Sequence, residues 1–294
     1  MATAAKGAGA TLVTLLVNAG SIAEEQLFLD SDAVIEAFYP SFGAPRIAEL
    51  ITGKANSWGR LPYTVYSKAF ADRVSLTDLG VAGPGRTYRY AAPGDVLYEF
   101  GAGMSYTVAS TSCTVQPSKQ RASVGASAPA PEDVLATIRC SIMDSEPIVS
   151  DSELPVPDGD EVLLAFHRPT SGLRRIIRSE HGADHPIPHR SLIGFERTPP
   201  LSRNKTGTRS RMVSGDSDGA RAGAGSNGPL ATVAFAVRAI DLALTGSRGE
   251  QILYPGEHNV IISGREPAEP VEIAVNVHGT NPMVLQRPPD APLP

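Results

Sequence analysis

Cysteine is nearly absent from this 294-residue chain, and the two that occur, Cys113 and Cys140, are too few for a disulfide framework or a zinc site. Both lie in segments that read as strands, so a single disulfide and a pair of buried thiols both stay open. No apolar run approaches the roughly 18 to 20 residues that span a bilayer, which argues against a membrane partner. Charge of one sign is also lacking: 26 Lys and Arg face 31 Asp and Glu, a net of −5, so nucleic acid is not an expected partner. Aromatics make up only 6%, yet 41% of residues are hydrophobic, enough for a real core. The 28 glycines and 25 prolines argue against long helical bundles. Catalytic signatures are missing as well: no GxSxG elbow, Walker A loop, HExxH pair or dinucleotide fingerprint occurs, and neither cysteine has a nearby histidine. No metal and no cofactor is expected.

What is present divides into two parts. Thr11 to Val17 (TLVTLLV) reads as a strand covered on both faces rather than a signal-peptide core, although Lys6 before it imitates the charged end of such a leader. Ile22 to Leu29 is a mixed polar stretch, and Asp32 to Phe38 a second short buried strand ended at Tyr39-Pro40. Pro45 to Thr52 is a helix punctuated by proline at its start and Gly53 past its end. Asp72 to Gly103 alternates turn residues with aromatics and reads as an ordered loop. Residues 109–131 form a Ser-, Ala- and Pro-rich linker merging into an edge strand.

Beyond it the period becomes that of strands, at Val134 to Ile142, Glu161 to Phe166, Ser191 to Phe195, Ala231 to Val237, Asn259 to Ile262 and Val271 to Val277. Turn signals separate them, which predicts an antiparallel β-sandwich. Two stretches interrupt it. Thr170 to Arg190 carries Arg174, Arg175, Arg178 and three histidines among turn formers, and reads as a solvated insertion loop rather than an anion patch. Residues 203–227 have no apolar periodicity and are expected to be disordered; Asn204 nearby heads an N-glycosylation sequon. The expected organisation is therefore a partial α/β domain over 1–108, the linker over 109–131, a sandwich over 132–280 and a tail over 281–294.

Carboxylates worth weighing for catalysis are Asp78, Glu99 and Glu161, and each has a structural alternative. Asp78 is placed to cap a turn, Glu99 to pair with Arg86 or Arg89, and Glu161 follows a DGD turn. Tyr88, Tyr90, Tyr98 and Phe100 with Arg86, Arg89 and Asp78 have the composition of a sugar-lined cleft, though the same rings suit packing the loop down. Asp78, Arg86 and Tyr88 are the candidate substrate contacts.

Together these segments resemble glycoside hydrolase family 3, specifically its β-xylosidase and α-arabinofuranosidase-like members. LVTLLVNAGSI (12–22) resembles the family's strand and glycine turn; IEAFYP (35–40) resembles its aromatic-Tyr-Pro-Gly turn, with Ser41 where glycine is usual. IAELITGKANSWGRLPYTVY (47–66) resembles its helix, Gly-x-x-Asn-Pro turn and Gly-Arg-Leu-Pro strand, with Ser57 replacing the proline. LTDLG, GRTYRY and LYEFGAGMSYT then follow in the family's order between 76 and 107. GDEVLLAFHRP (159–169), LIGFER (192–197) and LYPGEHNVII (253–262) are similar to its fibronectin type III-like domain.

The resemblance implies a fold of partial α/β sandwich followed by a fibronectin type III-like antiparallel β-sandwich. It implies retaining hydrolysis of β-linked xylosides, with two carboxyl groups about 5 to 5.5 Å apart. In the family the nucleophilic Asp lies in an N-terminal barrel and the acid/base Glu before the segment matched here, so no residue of this chain inherits either role. A truncated reading frame and a degenerate copy are both open, and either would leave a sheet edge and an apolar face uncovered. The partners the resemblance suggests are carbohydrate and a separate barrel-domain chain. The competing reading is a non-catalytic sandwich module that binds carbohydrate or protein.

Overall fold

The computed structural model describes residues 6–18, 20, 22–117, 129–147, 159–199, 201, 229–266 and 268–288. The sequon at Asn204 and the insert over 203–227 lie outside the described residues. The chain divides into two compact units between Ser105 and Tyr106.

In the first unit β1 (Val13–Leu16) pairs in parallel with β2 (Ala33–Glu36), Leu16 facing Glu36 at the carboxyl end. The polar stretch between them contains a short helix, α1 (Glu25–Asp30), whose Phe28 is buried with Leu16 and Val65. The strand expected to be covered on both faces is not: Val13, Leu15 and Val17 are about half exposed, and β2 is only half-buried. A run of alternating apolar side chains signals burial on both faces only when both faces have covers, and this two-stranded sheet packs one of them. The helix α2 (Ala44–Ile51) forms where its punctuation places it, with Pro45 in the first turn and Leu50 buried. After it, β3 (Val65–Tyr66) pairs antiparallel with β4 (Val96–Tyr98). Between these two strands run α3 (Lys68–Arg73), capped by Ser67 accepting from the Phe70 amide, and the single turn α4 (Thr87–Tyr90).

The second unit is the fibronectin type III-like sandwich. One sheet orders β5 (Thr107–Pro117), β6 (Val134–Pro147) and β9 (Ala231–Arg238); the facing sheet orders β13 (Val271–Val277), β12 (Gly256–Ser263), β7 (Val162–Pro169) and β8 (Ser191–Arg197). All these pairs are antiparallel. Period-2 alternation aims Val233, Phe235 and Val237 of β9 at Leu163, Ala165, Val260 and Ile262 of the opposite sheet, forming one core. Full burial of side chains this size is worth about 1.5 to 3 kcal/mol each.

Three expectations are corrected. The Ser-rich segment after Ser110 is not linker up to its edge strand; it is strand from Thr107 to Pro117, paired with β6 throughout. The tail contains β14 (Met283–Gln286), which closes a small sheet with β11 (Gln251–Leu253) and β10 (Leu244–Thr245), the latter following the single turn α6 (Ala239–Leu242). Thr170 to Arg190 is not a solvated loop throughout: it holds the helix α5 (Ser171–His181). Thr170 caps it by accepting from the Leu173 amide at 3.3 Å, and Gly182 ends it at φ 101°. Leu173 and Ile177, one turn apart, are buried against Ile187, Leu244, Ile252 and Tyr254.

Candidate functional site

The aromatic loop of the first unit is where the sequence places its candidate contacts, and it is ordered from within. Gly-Arg-Leu-Pro (59–62) lies against Phe-Gly-Ala-Gly (100–103): the Gly101 amide donates to Leu61 O and the Leu61 amide to Ala102 O, both at 2.8 Å. A Cβ at Gly103 would fall 2.9 Å from Gly59 O, so the two glycine-bearing segments approach closer than any side chain permits. The buried Ser105 hydroxyl donates to Asn56 Oδ1 at 2.8 Å and fastens the loop's end to the turn after α2.

Arg86 organises the other half. Its guanidinium donates to three main-chain carbonyls, those of Asp78, Gly80 (3.1 Å) and Ser75 (2.9 Å). Asp78 is exposed, and its Oδ1 accepts from the Gly80 amide at 2.8 Å, a local turn of the kind aspartate commonly makes. Tyr88 stacks on Phe100 with centroids 4.6 Å apart, Tyr98 meets Phe28 edge-on at 5.5 Å, and Arg89 lies over Tyr90 at 5.8 Å. Thr87 sits at φ 63°, which is rare for a β-branched residue, and its amide is held by the Tyr66 hydroxyl. Burial raises the Tyr66 pKa, so that hydroxyl stays protonated and neutral. Glu99 is exposed on the segment between β4 and Gly101. Outside this framework Leu76 and Leu79 project almost fully into solvent.

Glu161 belongs elsewhere. It is buried at the entry of β7, where its Oε1 accepts from the Arg265 amide at 3.2 Å and from the Val162 amide at 3.1 Å. Beside it the buried Asp160 carboxylate meets Arg197 and Arg265, joining β7, β8 and the β12–β13 turn. Cys113 and Cys140 stand directly opposite each other on β5 and β6 and form a disulfide. Among the described residues no group of three or more His, Cys, Asp or Glu side chains is arranged to hold a metal ion.

The sequence reading passed over the carboxyl ends of the parallel strands. Tyr63 donates to Glu36 Oε2 at 2.6 Å while the Phe38 amide donates to Oε1 at 3.0 Å, and burial with this carboxylate raises the Tyr63 pKa. Phe38 and Ser41 here have φ 52° and 40°. The substitution of serine for the usual glycine was the visible signal, because a non-glycine residue at positive φ stores strain.

Residues 1–106 match the glycosyl hydrolase family 3 C-terminal domain. This first unit belongs to family 3. Among curated relatives, the exo-1,4-beta-xylosidase bxlB of Emericella nidulans is 28% identical over 261 residues, covering 86% of this chain and 29% of that protein. Beta-D-xylosidase 1 of Arabidopsis thaliana is 39% identical over 93 residues, 30% of this chain. The chain thus spans about a third or less of the length of the xylosidases it matches. The family 3 exo-beta-xylosidase XlnD, solved with a xylobiose aziridine probe, superposes with a TM-score of 0.66 at 20% identity over 98% of this chain and 33% of its own. The beta-glucosidase D2-BGL of Chaetomella raphigera superposes at 0.62 with 17% identity over 90% of this chain. These two likenesses carry the fold: a partial α/β unit plus a fibronectin type III-like sandwich, as in family 3 enzymes.

Proposed function

We propose that the chain is the non-catalytic C-terminal part of a β-xylosidase-like family 3 hydrolase, and that it hydrolyses no glycoside alone. The observation that carries this is the employment of the candidate groups. Arg86 is directed wholly at main-chain carbonyls, Asp78 holds its own turn, and Glu161 is fastened inside the sandwich. A retaining glycosidase needs two carboxyl groups facing one anomeric centre. These serve the loop and the sandwich instead.

The role that remains is presentation. A loop stiffened by the Arg86 clamp, the Tyr88–Phe100 stack and the Gly59–Gly103 approach holds Leu76 and Leu79 outward. Apolar side chains held in water by a rigid base suit contact with another protein surface, here the barrel segment of such an enzyme. Purified chain incubated with 4-nitrophenyl β-xyloside should release no more nitrophenol than a heat-killed control. Release above that control overturns the proposal.

A further inference from the structure

Five of the six histidines gather around α5, and two of them are fully enclosed. His167 on β7 and His258 on β12 are 0% exposed, with His258 Nδ1 and His167 Nε2 3.1 Å apart. The protons on this pair follow from its ends. His258 Nε2 lies 2.8 Å from the Tyr254 carbonyl, which only accepts, so Nε2 carries the proton and Nδ1 is a lone pair. His167 Nε2 must then donate to it, which leaves His167 Nδ1 as a buried acceptor with no partner among the described residues. Both rings are neutral, and both are Nε2–H tautomers.

The Tyr254 carbonyl favours a proton on His258, and burial outweighs it. A proton arriving at His167 Nδ1 would make a donor without an acceptor, and the charged group from α5 that acts on this ring is the Arg174 guanidinium, itself held by the Pro169 and Pro188 carbonyls. Arg168 and Arg178 add positive charge around Arg174, and His189 lies under the same influence. The acidic groups of the neighbourhood, Glu180 and Glu250, act on the Tyr254 ring instead. Burial, with His258 and Arg174 adding to it, pushes the His167 pKa down to about 3, and burial lowers that of His258.

The chain of contacts runs on to α5. Tyr254, whose carbonyl anchors the pair, places its hydroxyl 2.8 Å from His181 Nε2, and its ring packs against Leu173 and Ile177. We propose that the His167–His258 pair is an acid-sensitive lock: neutral, it fixes Tyr254 and seats α5 on the sandwich, and protonated, it releases them. The sign follows from linkage. An unfolded histidine titrates near 6.5, so between that pH and the depressed folded value the open state binds more protons and gains as pH falls. For a histidine lowered to about 3, opening becomes roughly a hundredfold more favourable at pH 4.5 than at neutral pH.

The test uses the full chain. Hydrogen exchange of the α5 amides, corrected for intrinsic rates, is measured from pH 7.5 to 4.5 in the native protein and in His167→Gln/His258→Gln, whose amides keep the hydrogen bonds without titrating. The lock predicts that native α5 loses at least tenfold more protection than the variant. Equal losses would overturn it. Ring-nitrogen NMR of the native protein decides independently if the variant does not fold: Nε2–H tautomers with no titration near 6.5 support the lock, and either ring titrating there or carrying Nδ1–H refutes it.

Discussion

Cutting the Cys113–Cys140 bond should weaken the sandwich by an amount the register fixes. The two residues are 27 apart and directly opposed on β5 and β6, so the bond closes the segment of chain that joins the edge strand β5 to β6. Loop-closure entropy for that separation corresponds to about 3.5 kcal/mol, several hundredfold in the unfolding constant. Cys140 is fully buried in the main core while Cys113 packs at its margin, so replacing both by alanine also removes packed sulfur, adding about 1 kcal/mol. The two effects separate by comparing Cys113→Ala/Cys140→Ala with reduced native protein, which loses the cross-link and keeps the atoms. Urea unfolding followed by circular dichroism should show the sandwich transition falling by about 1 to 2 M on reduction, and further in the variant. A shift below about 0.3 M on verified reduction would refute the entropic reasoning and mean that the β5–β6 ladder persists in the unfolded chain.

Ser41→Gly should raise the stability of the first unit by about 1 kcal/mol, since φ 40° is strained for serine and natural for glycine; thermal melting reads this, and destabilisation would contradict it. Arg86→Ala removes three carbonyl contacts and should open the loop, seen as faster proteolytic cleavage between residues 75 and 91, while Arg86→Lys recovers only part of the protection because its ammonium cannot span the fork. Asp160→Asn removes the carboxylate that faces the buried Arg265 guanidinium and should cost about 3 kcal/mol by denaturant titration, more than removing Asp72, the exposed partner of Lys68.

The sandwich was legible because its strands keep strict alternation, as Val233, Phe235 and Val237 do, and no other period fits them. The helix α5 was not legible for an equally local reason. Arg174, Arg175 and Arg178 hide a buried stripe of only two side chains, Leu173 and Ile177, and the cap at Thr170 reads as a turn former until the helix behind it is seen. Strands β10 and β11 are two and three residues long, below what a pattern can register. In the candidate loop the residue types were visible while their use was not. Whether Arg86 faces a sugar or a carbonyl depends on the path of the main chain at Ser75, Asp78 and Gly80, and no side-chain pattern records that path. The His167–His258 pair likewise exists only through the β7–β12 register, which sets Pro169 opposite His258 and His167 opposite Val260.

The proposal that this chain holds no catalytic carboxylate is tested most directly by covalent trapping. A xyloside carrying an aziridine or epoxide in place of its leaving group forms an ester with the nucleophile of a retaining enzyme, which intact-mass spectrometry detects as one added mass. The chain should keep its unmodified mass after prolonged incubation. A single stoichiometric adduct, blocked by competing xylobiose and mapped to one Asp or Glu, would contradict the account.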